Sequence, residues 1–73
     1  MTDLTKPEQD TLEYITWYIK RYGVSPTYRM MVDFLGATSN GTIQYRIKRL
    51  EQKRYIKNLG YRGIKILKEG SDK

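Results

Sequence analysis

The spacing of apolar residues changes once along this chain, and that change limits the possible folds more than any other feature. As far as Leu50, apolar side chains recur every three or four residues, which is the repeat of an amphipathic helix. From Tyr55 onward they lie in short β-prone runs around a glycine-containing loop. A mainly helical α+β fold is therefore predicted, with the helices first and a β-hairpin last.

The first helix is predicted over residues 6–22. Thr5 is a suitable N-cap, Pro7 fits the first turn, and Glu8 stands where a capping box needs an acidic side chain. Gly23 is the expected stop. The predicted apolar stripe consists of Leu12, Ile15, Ile19 and Tyr22.

Two further helices are predicted before the hairpin. The second covers about residues 27–35, with Thr27 as its N-cap, and is too short to be stable without packing partners. The third covers about residues 40–53, with Ser39 as its N-cap. Its predicted buried face consists of Ile43, Ile47 and Leu50.

The hairpin is predicted over residues 55–67, and the polar residues 68–73 are expected to fray. Three helices followed by a hairpin, with a tight turn between the second and third helices, form a winged helix-turn-helix layout. In that layout the third helix enters the DNA major groove and the hairpin forms the wing.

The distribution of charge supports a nucleic-acid partner. The chain carries 14 Lys and Arg against 8 Asp and Glu, and its pI is near 9.7. Residues 39–73 hold ten of the basic residues but three of the acidic ones, so the excess lies on helix 3, the wing and the tail. A pI above about 9 is typical of nucleic-acid binders. A solvated basic surface is the alternative interpretation of the same charges.

Residue types on the outer side of helix 3 and at the wing tip predict the DNA contacts. Lys48 and Arg49 suit phosphates or guanine, and Gln44 suits adenine. Arg62 lies at the hairpin tip, where an arginine can enter a minor groove; a plain turn residue is its alternative interpretation. The predicted contact residues are Thr38, Ser39, Asn40, Gly41, Thr42, Gln44, Tyr45, Lys48, Arg49 and Arg62.

Three other residues have more than one interpretation. Lys53 and Arg54 end helix 3, where capping of the helix dipole alone would explain them. Trp17 falls on the side of helix 1 opposite the apolar stripe, among acidic and basic residues. An exposed Trp is typical of an interface, so a second copy or another protein is a candidate partner there. Cover by the C-terminal tail is the alternative.

Composition excludes several other classes of protein. With no Cys and no His, the chain offers no disulfide, no Cys/His zinc site and no His-based catalysis. We therefore expect no enzyme activity, no cofactor and no metal. No run of apolar residues reaches the length of about 18–20 that crosses a bilayer, and the residues at the start of this sequence do not predict a signal peptide. A cytoplasmic, nucleoid-associated protein of bacterial or phage origin is the expectation.

Several short motifs stand as they do in one family. They are Leu4-Thr5, Gly23-x-x-Pro26-Thr27, Leu35-Gly36, Ser39, Leu50, Lys53 and Arg62-Gly63-Ile64. Over residues 4–67 the chain resembles the N-terminal DNA-binding domain of the LexA repressor family. The resemblance implies a winged-helix repressor domain whose third helix reads operator DNA.

The departures from that family limit what the resemblance implies. LexA repressors carry a second, self-cleaving protease domain, and this sequence stops before one could begin, so no self-cleavage is expected. The family typically has small and acidic residues where this chain has Gly41, Thr42, Gln44 and Tyr45, so its operator is not carried over. The resemblance therefore favours a DNA-binding repressor with a sequence preference of its own.

Two other kinds of partner remain as alternatives. A winged helix can instead bind another regulator or a replication protein, but such a protein has no need of a helix 3 face without acidic residues. A binder of RNA is disfavoured because no sheet-borne aromatic platform is predicted. Double-stranded DNA is the predicted partner, and two copies on adjacent half-sites are expected.

Overall fold

The architecture of a computed structural model, which describes residues 4–59 and 63–67, is that of a winged helix. Within those ranges, α1 spans Lys6–Tyr22, α2 spans Tyr28–Leu35 and α3 spans Asn40–Gln52. Strands β1, Ile56–Asn58, and β2, Ile64–Ile66, then pair antiparallel. The predicted order of helices and hairpin is confirmed. Among the described helices, none combines the length and the apolarity that a bilayer-spanning segment needs.

The predicted signals at both ends of α1 are present. The Thr5 hydroxyl accepts a hydrogen bond from the Glu8 amide at 3.3 Å, and the Glu8 carboxylate accepts one from the Thr5 amide at 3.2 Å. This is a complete capping box, which pairs two donors that would otherwise be unsatisfied. Gly23 ends the helix in the left-handed conformation, with φ of 79°.

The core forms where the three helices meet and the hairpin closes over them. The predicted inner side of α3 is confirmed, because Ile43, Ile47 and Leu50 are all buried. These side chains pack in one cluster with residues of the other helices and the hairpin, and a chain of this size has room for a single such cluster. The other buried apolar members of the cluster are Leu12, Tyr14, Ile15, Met31, Tyr55, Ile56 and Ile64.

One part of the predicted α1 stripe is wrong. Tyr22 is 55% exposed, because it is the last residue of α1 and its ring lies against Tyr18, with centroids 4.6 Å apart. Tyr14, which the stripe left out, is buried instead. Its ring stacks on that of Phe34 in α2, with centroids 4.3 Å apart and planes 15° apart. Packing of α2 against this side of α1 therefore brings a residue into the core that the α1 sequence alone does not place there.

The loop end of the hairpin strands is joined to the link between α1 and α2 and to the start of α2. The Ile64 amide donates a hydrogen bond to the Ser25 hydroxyl at 3.3 Å, and the Asn58 side-chain amide donates one to the Tyr28 hydroxyl at 3.4 Å. Gly63 adopts φ of 108°, and a Cβ at this position would stand 2.5 Å from Ser25 Oγ. Both the backbone conformation and the close approach require glycine there.

Gly63→Ala is therefore expected to destabilise the protein by about 1–3 kcal/mol, because a side chain at this φ is strained and its Cβ meets Ser25. Urea unfolding followed by circular dichroism measures the change. Gly41→Ala is the matched control: its Cβ would find only an ordinary contact, 3.6 Å from Ser39 Oγ, within a helix. The control is expected to raise stability by about 0.5–1 kcal/mol, so equal losses in both variants would contradict the structure.

Candidate nucleic-acid interface

The outer side of α3 is an accessible polar surface. Because the apolar side of α3 is buried, the residues on the opposite side project into solvent. Tyr45, for example, is 64% exposed. The exposed residues on this side of the helix are Gly41, Gln44, Tyr45, Lys48 and Gln52. Four of them were predicted from helical spacing as contact residues, and Gln52 extends the same face by one turn.

The first turn of α3 suits an anion. Its amides lack partners within the helix, and no acidic side chain stands in that turn. Ser39 occupies the N-cap position, as predicted, but its hydroxyl makes no capping hydrogen bond, so that part of the prediction is wrong. The extended backbone of Ser39, with φ of −163°, leaves the hydroxyl beside Gly41 instead. Thr38 and Thr42 pair their hydroxyls at 3.3 Å across the same turn.

The outward side of α3 itself carries no acidic residue, but one acidic residue of α1 lies at its edge. Glu8, from the first turn of α1, is buried and lies against the C-terminal half of α3. Its carboxylate accepts a hydrogen bond from Lys53 Nζ at 2.8 Å and one from Arg49 Nε at 3.4 Å. Lys53 is thus an ion-pair partner as well as a helix-ending cation. Arg49 keeps 40% of its side chain exposed, so it remains accessible at the flank of α3.

Glu8 stays ionised in this cluster. Burial alone raises the pKa of the carboxyl, since it disfavours the charged form. Hydrogen bonds from Lys53, the Thr5 amide and Arg49 outweigh that effect, and the pKa of Glu8 ends below its ordinary value. One carboxylate therefore completes the cap of α1 and holds two cations of α3.

The hairpin carries a like-charge pair. Lys57 in β1 stands directly opposite Lys65 in β2, and both side chains are exposed. Like charges across a strand pair destabilise a hairpin, so this pair is unfavourable for folding. A polyanion lying along the hairpin would relieve the repulsion. Arg62, predicted for the wing tip, lies outside the described residues, as does the predicted tail of residues 68–73.

Sequence reasoning missed the part that Glu8 plays at the interface. Its place in the capping box was a sufficient explanation for an acidic residue at that position, and 41 residues separate it from Arg49. No local pattern connects two side chains at that distance along the chain. Only the packing of α1 against α3 brings them together.

Comparison with known proteins agrees with the geometry. A family model described as "LexA DNA binding domain" matches residues 1–61. The LexA repressor of Desulfatibacillum aliphaticivorans is 37% identical over 70 residues, which cover 93% of this chain and 34% of the relative. That of Desulfitobacterium hafniense strain Y51 is 35% identical over 72 residues, 96% of this chain and 35% of the relative. That of Bacillus cereus strain Q1 is 35% identical over 71 residues, 94% of this chain and 34% of the relative. The chain thus spans about a third of the length of these relatives.

Glu8→Gln is expected to lower the free energy of unfolding by about 1–3 kcal/mol near neutral pH, because it removes a buried charge that accepts three hydrogen bonds. A carboxyl with a lowered pKa stabilises the fold above its unfolded pKa of about 4.3 and loses that contribution as the pH falls through the folded pKa. The deficit of the variant should therefore shrink below about pH 4. Chemical denaturation across pH 3–7, a range set by these pKa values, measures it.

Asp10→Asn is the control for this prediction, since Asp10 makes an exposed ion pair with Lys6 at 3.2 Å on the same helix. Its loss is expected to cost less than about 0.5 kcal/mol. A Glu8→Gln variant whose deficit is constant with pH would show that ionisation of Glu8 contributes nothing to stability.

Proposed function

This chain belongs to the LexA DNA-binding domain family, and from that membership we propose that it is a sequence-specific repressor of transcription that binds double-stranded DNA. The observation that carries the proposal is the outer side of α3, where polar and cationic side chains project from a helix whose other side is anchored in the core. A helix of this kind fits the major groove of B-form DNA.

Different residues are assigned to positioning and to base recognition. Lys48 and Arg49 bind phosphates, or guanine where they reach a base edge, and Tyr45 stacks on a sugar or donates to a phosphate. Gln44 pairs with adenine, and Thr42 contacts a base edge or a thymine methyl. The start of α3 receives a phosphate on its free amides; the residues assigned there are Thr38, Ser39, Asn40 and Gly41.

The wing is assigned to the phosphate backbone and the minor groove. Lys57 and Lys65 face each other across the hairpin, and their repulsion is relieved when phosphates lie beside them. Arg62 is assigned to a minor groove or the phosphate next to it. The hydrogen bond from Ile64 to Ser25 supports this assignment, because it ties the wing to the body of the domain.

The other parts of the proposal concern location and partners. Because the proposed target is bacterial or phage DNA, the proposed location is the cytoplasm. The proposed function includes no catalytic step. The alternative function is a winged helix that binds another regulator or a replication protein. The free cationic side of α3 favours DNA over that alternative. The exposed face around Trp17 is nevertheless proposed as a contact for another protein, in addition to DNA.

Lys48→Ala and Gln44→Ala are expected to weaken DNA binding in different ways. Loss of Lys48 weakens binding to all duplexes about equally and lowers the salt dependence of log K by about 0.9, the value for one phosphate. Loss of Gln44 costs about 1–3 kcal/mol on the preferred duplex and little on an unrelated one. Fluorescence anisotropy at several salt concentrations, with a duplex selected from a random library and an unrelated duplex of equal length, separates the two effects.

Lys6→Gln is the matched control, because it removes one positive charge from α1, where Lys6 is exposed and pairs with Asp10. If Lys6→Gln weakened DNA binding as much as Lys48→Ala does, Lys48 would contribute only through the net charge of the protein. Lys57→Gln is expected to behave like Lys48→Ala. A Gln44→Ala variant that loses affinity equally on both duplexes would contradict base recognition by α3.

Two copies are expected on each preferred duplex, because a single module buries about 600–1,000 Å², which is too little for tight specific binding. Native mass spectrometry of the complex measures the stoichiometry. Half-sites are expected about 10 base pairs apart or at multiples of that spacing. Insertion of half a helical turn between them should abolish cooperative binding, whereas a complex of one chain per duplex would contradict the proposal.

A further inference from the structure

A cleft opens between α1 and α2, away from the polar side of α3. Its volume is about 550 Å³, within the range of pockets that hold a small ligand or a few side chains. Three aromatic residues, two carboxylates and one leucine line it. The lining residues are Asp10, Glu13, Tyr14, Trp17, Phe34 and Leu35.

The rings are held in place by one another. Tyr14 stacks on both Phe34 and Trp17, with centroids 4.3 and 6.1 Å away. Tyr14 is buried, whereas Trp17 is 51% exposed and Phe34 is 67% exposed. Trp17 and Phe34 thus remain exposed to water, although each of them packs against the ring of Tyr14. Exposed Trp and Phe side chains that are fixed in place are typical of a docking surface.

The carboxylates are in register with the rings. Asp10 precedes Tyr14 by four residues, and Glu13 precedes Trp17 by four, so each acid lies one helical turn from a ring on the same side of α1. Asp10 is also paired with the exposed Lys6 at 3.2 Å, and Glu13 accepts a hydrogen bond from Gln9 at 3.2 Å. Both contacts are exposed and are readily exchanged for a stronger cation.

Glu8 shows that this face is separate from the one proposed for DNA. On a helical projection, Asp10 and Trp17 lie roughly opposite Glu8 around the axis of α1. Glu8 contacts the cations of α3, whereas Asp10 and Trp17 line the cleft with residues of α2. The carboxylates would repel a phosphate, so the cleft does not extend the DNA surface.

We propose that the cleft binds a short peptide segment of another protein, in which an arginine is flanked by an apolar residue. A guanidinium above the exposed ring of Trp17 gains from its π-face and, at the same time, from the carboxylates of Asp10 and Glu13 that line the same cleft. The apolar neighbour covers Phe34 and Leu35. Because the surface is a small cleft lined by six residues, it fits a segment rather than a broad globular face.

A second copy of this chain does not fit the cleft as well. A two-fold contact places the same patch on both partners, so Asp10 and Glu13 of one copy would approach Asp10 and Glu13 of the other. A head-to-tail contact would need the basic residues of α3 or the wing, which the proposed function assigns to DNA, or cations such as Lys6 and Arg29, which are already paired with carboxylates of their own helices. Charge complementarity therefore favours a cationic segment from a different protein.

Trp17 is the single tryptophan of the chain, so its fluorescence reports on the cleft directly. The probe is a short capped peptide of alternating leucine and arginine, titrated into the full chain. A saturable change in Trp emission is expected. The same peptide with citrulline in place of arginine keeps the shape but loses the charge, and it should bind about tenfold more weakly.

Asp10→Asn and Glu13→Gln are each expected to weaken peptide binding by about tenfold, while affinity for DNA stays within about twofold. Asp33→Asn is the matched control: it removes an acidic charge from an exposed pair with Arg29 on α2, outside the cleft. Its peptide affinity should not change. Trp17→Phe keeps a ring in the wall, and calorimetry then replaces fluorescence as the readout.

Four outcomes would overturn the inference. Equal binding of the citrulline and arginine peptides, or equal effects of Asp33→Asn and Glu13→Gln, would leave the carboxylates without a role. Self-association in sedimentation experiments that Trp17→Ala abolishes would assign the cleft to a second copy. Loss of DNA binding in the cleft variants would show that both faces act on DNA. The DNA titrations of Lys48→Ala test the proposed repressor function separately, so its failure can be distinguished from failure of this inference.

Discussion

Burial of one side of α3 is the constraint on which the rest of the domain depends. Ile43, Ile47 and Leu50 are almost completely inaccessible, and α1, α2 and the hairpin each pack against this helix. Because successive residues are rotated by a fixed angle around the helix axis, burial of these three residues also determines which side chains project outward. The packing that stabilises the fold is therefore the same packing that orients the proposed DNA-reading residues, and a loss of core volume under α3 would disturb both.

Glu8 adds a second, polar connection between the same elements. Its carboxylate closes the capping box of α1 and holds Lys53 and Arg49 of the C-terminal half of α3. A buried carboxylate is favourable only when its hydrogen bonds are satisfied, and here three donors satisfy it. The consequence for function is a division of the cations on α3. Lys53 and Arg49 both contact Glu8, and Arg49 keeps part of its side chain exposed for the proposed DNA, whereas Lys48 projects outward without a contact to Glu8.

The two faces of the domain differ in their chemistry. The side of α3 that points away from the core is polar and cationic, whereas the α1–α2 cleft combines aromatic rings with carboxylates. A polyanion is attracted to the first and repelled by the second. A small domain can in this way hold DNA on one side and leave the other side for a protein. Trp17 is the single tryptophan of the sequence. In the fold its ring stacks on that of Tyr14, which in turn stacks on Phe34 of α2.

Local patterns were enough to predict the helices, the hairpin, the buried side of α3 and the identity of its outward residues. Each of these depends on neighbours within a turn or two: a capping box at Thr5, glycine at the helix ends, and apolar spacing of three and four. Contacts between distant segments had no such signal. The burial of Tyr14, the exposure of Tyr22, the pairing of Glu8 with α3 and the approach of Ser25 to Gly63 all depend on how the elements pack. Periodicity assigns a residue to a side of its own helix, but which neighbour covers that side is settled by the arrangement of whole helices in space.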